Sequence, residues 1–487
     1  MSTFQSSIYE PVIGLEIHAQ LQTDSKIFAS DPVRFGRDAN TLISPITLGH
    51  PGTLPHLNKK AVEFAIKMGF ALGCEIARWQ NFDRKNYFYP DLPKGYQITQ
   101  DKTPICIGGS IQVHLAEGVK SLPFHHIHLE EDAGKSLHEG DNPFSFIDYN
   151  RAGTPLIEMV TEPAIHSAEE AFAMVSEVRK LVRYLGICDG NMEEGSLRAD
   201  VNISLRPKGT KTLGTKVEIK NMNSLRNIQR AIEYECRRQE EALLKGEKLI
   251  QETRTFDAHT GKTHSMRVKE TMNDYRYFPE PDLAPLEISE QWLSDIRKQM
   301  PTLPWEQEQK FIDLYHLSAY DAHFLSETRE MALYFEAAAQ LTKSYKPVAN
   351  WLMGPVKSHL NDKGLSIQDF ELTPAKLVEI VELVEQGIIT HNLAVQQLFG
   401  LCLSAPTKSP KQIVEEQGWL NLDSSDELPG FVEAALAAFP DKIKEYHQGK
   451  KGLMALFIGE VMKRSKGTAD PKRVNQLVSE ALQQHKS

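Results

Sequence analysis

VIGLEIHAQ, residues 12–20, alternates apolar and polar side chains over most of its length. In a β-strand, such alternation gathers the apolar side chains on one face and leaves the polar ones, here including Glu16 and His18, on the other. Strands with one apolar and one polar face are typical of antiparallel or mixed sheets, whereas the strands of buried parallel sheets are apolar on both faces. The stretch therefore predicts an open sheet with a polar face.

Two further stretches, SLRADVNISLR at 196–206 and TKVEIKN at 215–221, repeat this pattern. Their polar positions include Arg198, Asp200, Asn202, Lys216, Glu218 and Lys220. A capping-box pattern of Ser167 with Glu170 predicts a helix, and a second helix is predicted from about Ser224. Strands and helices in one region indicate an α+β domain whose helices cover the apolar face of the sheet.

The character of the chain changes after the proline-rich stretch FPEPDLAP at 278–285. Beyond it, strand alternation is absent and Ala, Leu, Glu and Gln are frequent, which favours helices. The stretch SAPTKSP at 404–410 has the composition of a linker. The sequence thus predicts an open antiparallel or mixed-sheet domain followed by two all-α domains, with boundaries at 1–294, 295–407 and 408–487.

The composition is that of a folded protein without a membrane-spanning segment. The 487 residues are 41% hydrophobic and 25% charged, values that exclude a disordered or repetitive chain. No apolar run approaches the roughly 18 residues that span a bilayer, and the start of the sequence resembles neither a secretory signal nor a transit peptide. The five cysteines are scattered without a CxxC pair, which argues against a cysteine-built zinc site. We expect a cytoplasmic protein.

Charge is divided unevenly along the chain. The net charge is −10, but residues 441–487 hold ten Lys and Arg against five acidic residues, so that the tail carries +5 and residues 1–440 carry −15. A basic tail on an acidic body suggests a polyanionic partner such as structured RNA, although a solvated lysine-rich helix would give the same pattern. The candidate RNA-binding residues are Lys450, Lys451, Lys463, Arg464 and Lys466.

The polar strand positions are rich in carboxylates. Glu16, Asp200 and Glu218 are joined by the run HHIHLEED at 125–132. Carboxylates gathered on one face repel one another unless a cation or a positively charged ligand lies among them. Oxygen ligands select hard cations such as Mg2+, which often bridges to phosphates. The alternative is a solvated acidic face that binds nothing.

Long motifs, in the order of the chain, resemble one known family. They are IGLEIHAQLQTDSKIFAS (13–30), GHPGTLPHLN (49–58), FDRKNYFYPDLPKGYQITQ (82–100), IHLEEDAGKS (127–136), DYNRAGTPLIEMVTEP (148–163), EEGSLRADVNISLRP (193–207), KVEIKNMNSLRNIQRAIEYE (216–235) and MNDYRYFPEPDL (272–283). They resemble the B subunit (GatB) of aspartyl/glutamyl-tRNA(Asn/Gln) amidotransferase. The tail resembles the helical domain that this family shares with YqeY-type proteins.

The resemblance implies one of the three subunits of an enzyme of protein synthesis. In that family, the A subunit releases ammonia from glutamine, and a small C subunit links A to B. The B subunit uses ATP to phosphorylate the side-chain carboxylate of Glu-tRNA(Gln) or Asp-tRNA(Asn), and ammonia arriving through a tunnel displaces the phosphate. The catalytic domain of the family is a cradle similar to the glutamine synthetase/guanidino kinase fold, which suits an open sheet lined with carboxylates.

The resemblance also assigns candidate residues. The catalytic Mg2+ ligands that it implies are Glu16, His18, Glu131 and Glu158. Strand alternation alone would select Glu130 rather than Glu131, together with His126, His128 and Asp132. Because a strand end or a bulge shifts the phase of alternation, the expectation stays with Glu131.

Further expectations follow from the family. Lys85 and Lys94 fall where its ammonia passage is expected, and the polar positions of 196–206 and 215–221 are expected to contact substrate and ATP. Many members carry a cysteine cluster ahead of GHPG, but residues 28–52 of this chain hold no cysteine, so that zinc is not expected. No glutaminase nucleophile is evident in the sequence, so that nitrogen must come from a partner or from free ammonia.

Two other functions stay open. A non-catalytic RNA-binding adaptor would explain the basic tail and the helical C-terminal half, but not the carboxylate-lined sheet. A free-standing ATP-dependent carboxylate–ammonia ligase acting on a small molecule would explain the sheet, but not the basic tail. ATP hydrolysis with and without misacylated tRNA discriminates among the three functions.

Overall fold

The computed structural model describes residues 4–138, 144–220, 222–268, 275–419, 427–465, 469 and 471–484. The chain divides into two compact units, Met1–Leu303 and Pro304–Ser487. Over the described residues, every strand belongs to the first unit and the second unit is helical. The α+β class is therefore confirmed, whereas the domain boundaries at 294/295 and 407/408 stay predictions.

The strands of the first unit are numbered β1 to β17 in chain order. They are Tyr9–Gln20, Glu75–Ile76, Trp79–Gln80, Asp83–Asn86, Tyr96–Thr99, Cys106–Ile107, Ser110–Leu115, Gly118–Glu131, Lys135–His138, Ser145–Asp148, Pro155–Thr161, Leu197–Pro207, Val217–Lys220, Glu252–Asp257, Lys262–Val268, Phe278–Pro279 and Leu286–Glu287. Thirteen of them form one mixed sheet, in the order β15–β14–β13–β12–β1–β11–β8–β5–β4–β16; in addition β6 and β7 pair with β8, and β2 pairs with β6.

Strand β1 lies between β11 and β12 and runs antiparallel to both. His18 is directly opposite Glu158 on one side and Arg198 on the other, and Glu16 is opposite Asp200. This register brings together polar residues that are far apart in sequence. The polar face of the sheet is thus assembled around β1.

The alternation within residues 12–20 is confirmed. Ile13, Leu15 and Ile17 are buried, whereas Glu16 and His18 are half-buried. The helices that share the core with these apolar side chains are α1 to α4, at Lys59–Leu72, Ala168–Tyr184, Leu225–Leu244 and Glu290–Lys298.

The two helix starts read from the sequence are also confirmed. Ser167 caps α2 by accepting a hydrogen bond from the Glu170 backbone N–H, and Ser224 caps α3 in the same way. Both helices bury apolar side chains against the sheet. The helices therefore cover the apolar face of the sheet, and the polar side chains of the strands lie on the opposite face.

The second unit consists of helices α5 to α17. They are Pro304–Tyr315, Ala319–Leu325, Arg329–Ala339, Tyr345–Trp351, Lys357–Lys363, Pro374–Glu385, His391–Leu393, Phe399–Ser404, Pro410–Gln417, Glu427–Ala437, Pro440–His447, Met454–Arg464 and Pro471–Gln484. Short π-helical turns at Leu352–Val356 and Ala394–Leu398, and 3-10 turns at Ile367–Asp369 and Lys451–Leu453, connect several of them. In the part of the chain that the structure describes, none of the helices is both apolar and long enough to cross a bilayer.

The last helices form a small core of their own. Phe457 and Val461 of α16 are fully buried against Val474 and Val478 of α17. Leu456, also on α16, is 40% exposed. The basic residues of α16 and of the turn before it therefore flank apolar residues that mostly belong to this core.

Candidate active site on the polar face

Two histidines and two glutamates meet on the polar face of the sheet. They are His18 of β1, Glu158 of β11, and His128 and Glu130 of β8. His18 Nε2 is 3.2 Å from Glu158 Oε2 and 3.9 Å from Glu130 Oε1. His128 Nε2 is 3.5 Å from Glu158 Oε2 and 3.6 Å from Glu130 Oε2. We call these four residues the central cluster.

Protons balance the negative charge of the central cluster. Burial would lower the pKa of His18, but the adjacent Glu158 carboxylate outweighs burial and raises that pKa to about 9. Burial would raise the pKa of Glu158, yet His18 and His128 hold it well below its ordinary value. At neutral pH, the His18 imidazolium therefore supplies positive charge that a metal cation would supply equally well.

A neighbouring ring orients His128. His126 Nε2 is 3.1 Å from His128 Nδ1, which leaves His128 Nε2 toward the carboxylates. Burial lowers the pKa of His126 to about 4, so that its ring is neutral at physiological pH. An outer partner of this kind fixes the orientation of a ligand-bearing ring.

A second acidic group, Glu16, Asp200 and Glu218, adjoins the central cluster. Lys220 Nζ lies 2.9 Å from Asp200 Oδ2 and 3.0 Å from Glu218 Oε1. Glu16 accepts a hydrogen bond of 2.8 Å from the Asn202 side chain. Burial and the nearby Glu158 carboxylate raise the pKa of Glu16, which shows how close the two groups lie electrostatically.

The donor atoms of both groups fit a hard divalent cation. Within each of the sets His18, Glu130, Glu158 and Glu16, Asp200, Glu218, one possible ligand atom per residue lies within 4.8 Å of the others. The donors are carboxylate oxygens and one imidazole, without a thiolate. Such a set suits Mg2+ or Mn2+ better than a structural zinc ion.

Glu131 lies apart from this site, contrary to the ligand set implied by the family resemblance. Its carboxylate oxygens are 2.6 and 2.8 Å from Lys94 Nζ, and one of them accepts a hydrogen bond from the Ile98 backbone N–H. Because the strand remains regular at this point, neighbouring residues alternate between faces, and Glu130 points to His18 instead. The alternation of the strand selects the residue that the structure brings to the cluster.

The two lysines expected along an ammonia passage lie in different surroundings. Lys85 of β4 is near the central cluster, where the charges of Glu130 and Glu158 outweigh burial and raise its pKa. Lys94 and Glu131 instead line a cavity of about 70 Å³ together with Lys26. The two lysines therefore lie on either side of the strand segment that holds Glu130 and Glu131.

Lys26 is a buried lysine that the sequence analysis missed. Its side chain is 1% exposed, and burial lowers its pKa to about 8, although Asp31 and Glu131 oppose that shift. Nζ is 3.5 Å from the Tyr149 backbone carbonyl. A lysine between a serine and an apolar run carries no pattern that indicates burial, so that no signal in the sequence pointed to it.

The remaining candidates on the polar face divide into two groups. Arg198 forms an ion pair with Asp132, with Nη2 3.1 Å from both carboxylate oxygens, and Gln20 donates a hydrogen bond to the same carboxylate. Asp200, Asn202, Glu218 and Lys220 belong to the second acidic group. Lys216 precedes β13, is exposed and is not brought to either group.

The basic tail residues are exposed on α16 and on the turn before it. Lys450 pairs with Glu445, Lys451 lies over the Tyr446 ring, and Arg464 pairs with Glu460. Lys463 is exposed, and Lys466 lies outside the described residues. RNA binding by these residues stays a prediction.

Comparison with protein families gives the class of this protein. Residues 11–294 match the family model described as the GatB/GatE catalytic domain, and residues 333–482 match the model described as the GatB domain. Since the first match alone spans more than half of the chain, the protein belongs to the GatB family. The resemblance drawn from the motifs is confirmed.

Curated relatives of nearly the same length share one description, the B subunit of aspartyl/glutamyl-tRNA(Asn/Gln) amidotransferase. The relative from Thermodesulfovibrio yellowstonii is 45% identical over 476 residues, which cover 98% of this chain and 100% of the relative. The relative from Thermosynechococcus vestitus is 46% identical over 487 residues, covering 98% and 97%. The relative from Trichodesmium erythraeum is 47% identical over 485 residues, covering 98% of each chain.

Proposed function

We propose that the protein is the synthetase subunit of a tRNA-dependent amidotransferase. A side-chain carboxylate oxygen of Glu-tRNA(Gln) or Asp-tRNA(Asn) attacks the terminal phosphorus of ATP, and ADP leaves. Ammonia then attacks the carbonyl carbon of the acyl phosphate, phosphate leaves, and an amide remains. The names of the relatives support the substrates, and the central cluster is the observation that carries the chemistry.

The cation of this reaction is proposed to be Mg2+, held by Glu16, His18, Glu130 and Glu158, with Glu130 in the place that the resemblance gave to Glu131. When bound, the ion screens the phosphates of ATP and orients them toward the acceptor carboxylate. A carboxylate is a poor electrophile until one of its oxygens becomes a leaving group, and phosphorylation achieves this. Arg198 and Lys220 offer charge-assisted hydrogen bonds to phosphate or carboxylate on the same face.

The acyl phosphate hydrolyses readily in water, so that ammonia needs a shielded path to it. We propose that this path passes Lys94 and Glu131 on one face of the sheet and Lys85 on the other. The ion pair of Lys94 with Glu131 lines a cavity large enough for small molecules only. While Lys94 and Glu131 are paired, they separate the proposed ammonia passage from the central cluster, and the passage opens when the pair separates.

The proposed fold similarity, partners and compartment are those that the family implies. The sheet is proposed to be a cradle similar to the glutamine synthetase/guanidino kinase fold. The proposed partners are misacylated tRNA, gripped by the tail, and two proteins, an amidase-type A subunit with its small C subunit. The five cysteines are all free, which supports a reducing compartment such as the cytoplasm.

The test uses the chain reconstituted with its two protein partners. ATP hydrolysis and amide formation are measured with Glu-tRNA(Gln), Asp-tRNA(Asn) and uncharged tRNA. Hydrolysis is expected to require the aminoacyl group, and Glu158→Gln is expected to lower amide formation roughly a hundredfold or more while tRNA affinity is kept. Glu162→Gln, which removes a carboxylate just after the same strand, is the matched control.

Each of three results would overturn the proposal. Hydrolysis that ignores the aminoacyl group would exclude phosphorylation of the tRNA-bound carboxylate. Full activity of Glu158→Gln would leave the central cluster without a role. Tight tRNA binding without any ATP hydrolysis would instead identify an RNA-binding adaptor.

A further inference from the structure

A cavity in the first unit lies at the end of β1, beyond the central cluster. Its volume is about 490 Å³, and it is lined by Gln20, Arg34, Phe35 and Arg37 on one part of its wall. Gln20 follows His18 by two residues on the same face of the strand, a separation of about 7 Å. The proposed chemistry, as described above, makes no use of this cavity.

A basic and aromatic wall is presented by residues 33–37. Phe35 is 64% exposed, and Lys135 Nζ lies 5.2 Å from the centre of its ring. Across the described parts of the chain, neither the Arg34 nor the Arg37 guanidinium has a hydrogen-bond or ion-pair partner. Two uncompensated guanidinium groups beside an exposed ring are the arrangement that binds a nucleotide, through its phosphate and the face of its base.

The segment that carries this wall is held in place. Asn40 donates a hydrogen bond to the Ile147 carbonyl and accepts one from the Tyr149 backbone N–H. The Leu42 backbone N–H donates to the Asn150 side chain. These hydrogen bonds anchor the chain just after residues 33–37, which lowers the ordering cost of binding.

The wall also contains acidic residues. Asp189 and Glu194 line the cavity and are exposed. Asp189 accepts hydrogen bonds from the Asn191 backbone and from Ser196, which fixes its carboxylate. Carboxylates in the same cavity as a phosphate-binding wall can accept hydrogen bonds from ribose hydroxyls or pair with an ammonium group.

We propose that this cavity binds an adenosine nucleotide, with Phe35 against the base, Arg34 and Arg37 on the phosphate, and the acidic wall toward the ribose. The inference rests on the proposed function, in which the 3′ end of tRNA and ATP both carry adenosine. The 3′-terminal adenosine fits the spacing: an amino acid esterified to a ribose beside Gln20 would extend its side-chain carboxylate over the roughly 7 Å to His18.

The experiment measures equilibrium binding by the full chain to three probes. The probes are ATP with Mg2+, an acceptor-stem minihelix ending in CCA, and the same minihelix ending in CC. Removal of the terminal adenosine from the minihelix is expected to weaken its binding to the wild type about fivefold or more, as removal of a stacked base does. Phe35→Ala is expected to bind the CCA and CC minihelices with equal affinity. Arg34→Ala with Arg37→Ala is expected to weaken binding of the CCA minihelix and to reduce its salt dependence.

The remaining outcomes are equally definite. If Phe35→Ala weakens ATP instead of the minihelix, the adenosine in the cavity is that of ATP, and the proposed site stands. If neither probe responds to Phe35→Ala or to the double arginine variant, the proposal is overturned. Arg226→Ala, which removes an exposed arginine on α3, is the control and is expected to bind all probes normally.

Failure of this inference can be separated from failure of the proposed function. Normal binding by the variants, together with amide formation by the wild-type complex, removes the adenosine site and keeps the amidotransferase. The expected binding pattern without amide formation removes the amidotransferase and keeps the nucleotide site. Circular dichroism of each variant confirms that the fold is retained.

Discussion

Glu130 and Glu131 are consecutive residues of β8, and their carboxylates lie in different sites. Glu130 faces His18 and His128 on the polar face, and Glu131 forms an ion pair with Lys94 at 2.6 Å. Successive side chains of a strand point to opposite faces, so that one peptide unit divides the proposed phosphorylation centre from the proposed ammonia route.

This division predicts different phenotypes for two neighbouring substitutions. Glu130→Gln removes a carboxylate of the central cluster and is expected to lower amide formation with either glutamine or free ammonium as the nitrogen source, by about tenfold or more. Glu131→Gln breaks the ion pair with Lys94 and is expected to lower only the glutamine-dependent reaction. The two reactions are compared in the reconstituted complex, and an equal decrease of both in Glu131→Gln would contradict the separation.

The central cluster predicts a decline of stability at alkaline pH without metal. The pKa of His18 rises from 6.5 to about 9 on folding, so that the folded state holds a proton which the unfolded state has released between these values. The stabilisation is complete below pH 6.5 and disappears as the pH rises through about 9. Urea unfolding in EDTA across this window measures the decline. Glu158→Gln, which lacks the partner of His18, is expected to show a flatter curve, and an unchanged slope would exclude this pairing.

Metal binding is predicted to release a proton. Since His18 is protonated at neutral pH, a cation that takes its ring nitrogen must displace that proton. Calorimetric titration with Mg2+ in two buffers of different ionisation enthalpy is expected to show release of about one proton per ion bound. His18→Asn is expected to bind more weakly and without proton release. Heats that do not depend on the buffer would exclude His18 as a ligand.

The buried Lys26 predicts that the free energy of unfolding changes with pH in the opposite direction to the contribution of His18. Its pKa falls from 10.5 to about 8 on folding, so that the unfolded state binds more protons in this window and stability rises with pH across it. Below pH 8 the cost of the buried charge is fully present. Lys26→Met is expected to raise the free energy of unfolding at neutral pH by on the order of 2 kcal/mol, and to gain less near pH 10. Denaturant titration at neutral pH and near pH 10 measures the free energy of unfolding of both proteins. A variant less stable than the wild type would show that the Lys26 ammonium is favourably paired.

The tail predicts a salt-dependent contribution to tRNA binding. Replacing Lys450, Lys451, Lys463 and Arg464 together by alanine is expected to weaken tRNA binding and to reduce the slope of log K against log salt by roughly 0.9 for each phosphate that is no longer neutralised. Deletion of residues 408–487 is expected to weaken tRNA binding more, with assembly of the three subunits intact. Lys211→Ala, an exposed lysine of the first unit, serves as the control. Unchanged slopes would leave the tail as a solvated helical domain.

The elements of the first unit were predictable where local pattern and tertiary structure agree. The alternation of residues 12–20 and the caps at Ser167 and Ser224 depend on neighbours in sequence, and the structure confirms them. The choice between Glu130 and Glu131 was also decided by local alternation, since β8 stays regular there. Of the ligands implied by the resemblance, the structure brings His18 and Glu158 into the central cluster and Glu16 into the adjoining acidic group, whereas Glu131 pairs with Lys94.

Other parts of the site depend on long-range pairing. The order of strands, which places β1 between β11 and β12, follows from packing and cannot be read from any one strand. Lys26 and the cavity beside Phe35 are created by loops that fold against the sheet, and loops carry no periodic signal. Alternation by itself gave only the polar character of the face, and the grouping of Glu16, His18 and Glu158 came from the family resemblance.

The pairing of β1 on both edges limits how this protein can change in length. An extra or missing residue directly after Gly14 would turn Glu16 and His18 into the apolar core and expose Ile17 on the polar face. Substitutions in this strand alter one contact at a time, whereas an insertion or deletion reverses every contact beyond it. Insertions and deletions are therefore expected in the connecting turns, whereas the strand keeps its length and holds the residues of the central cluster in register.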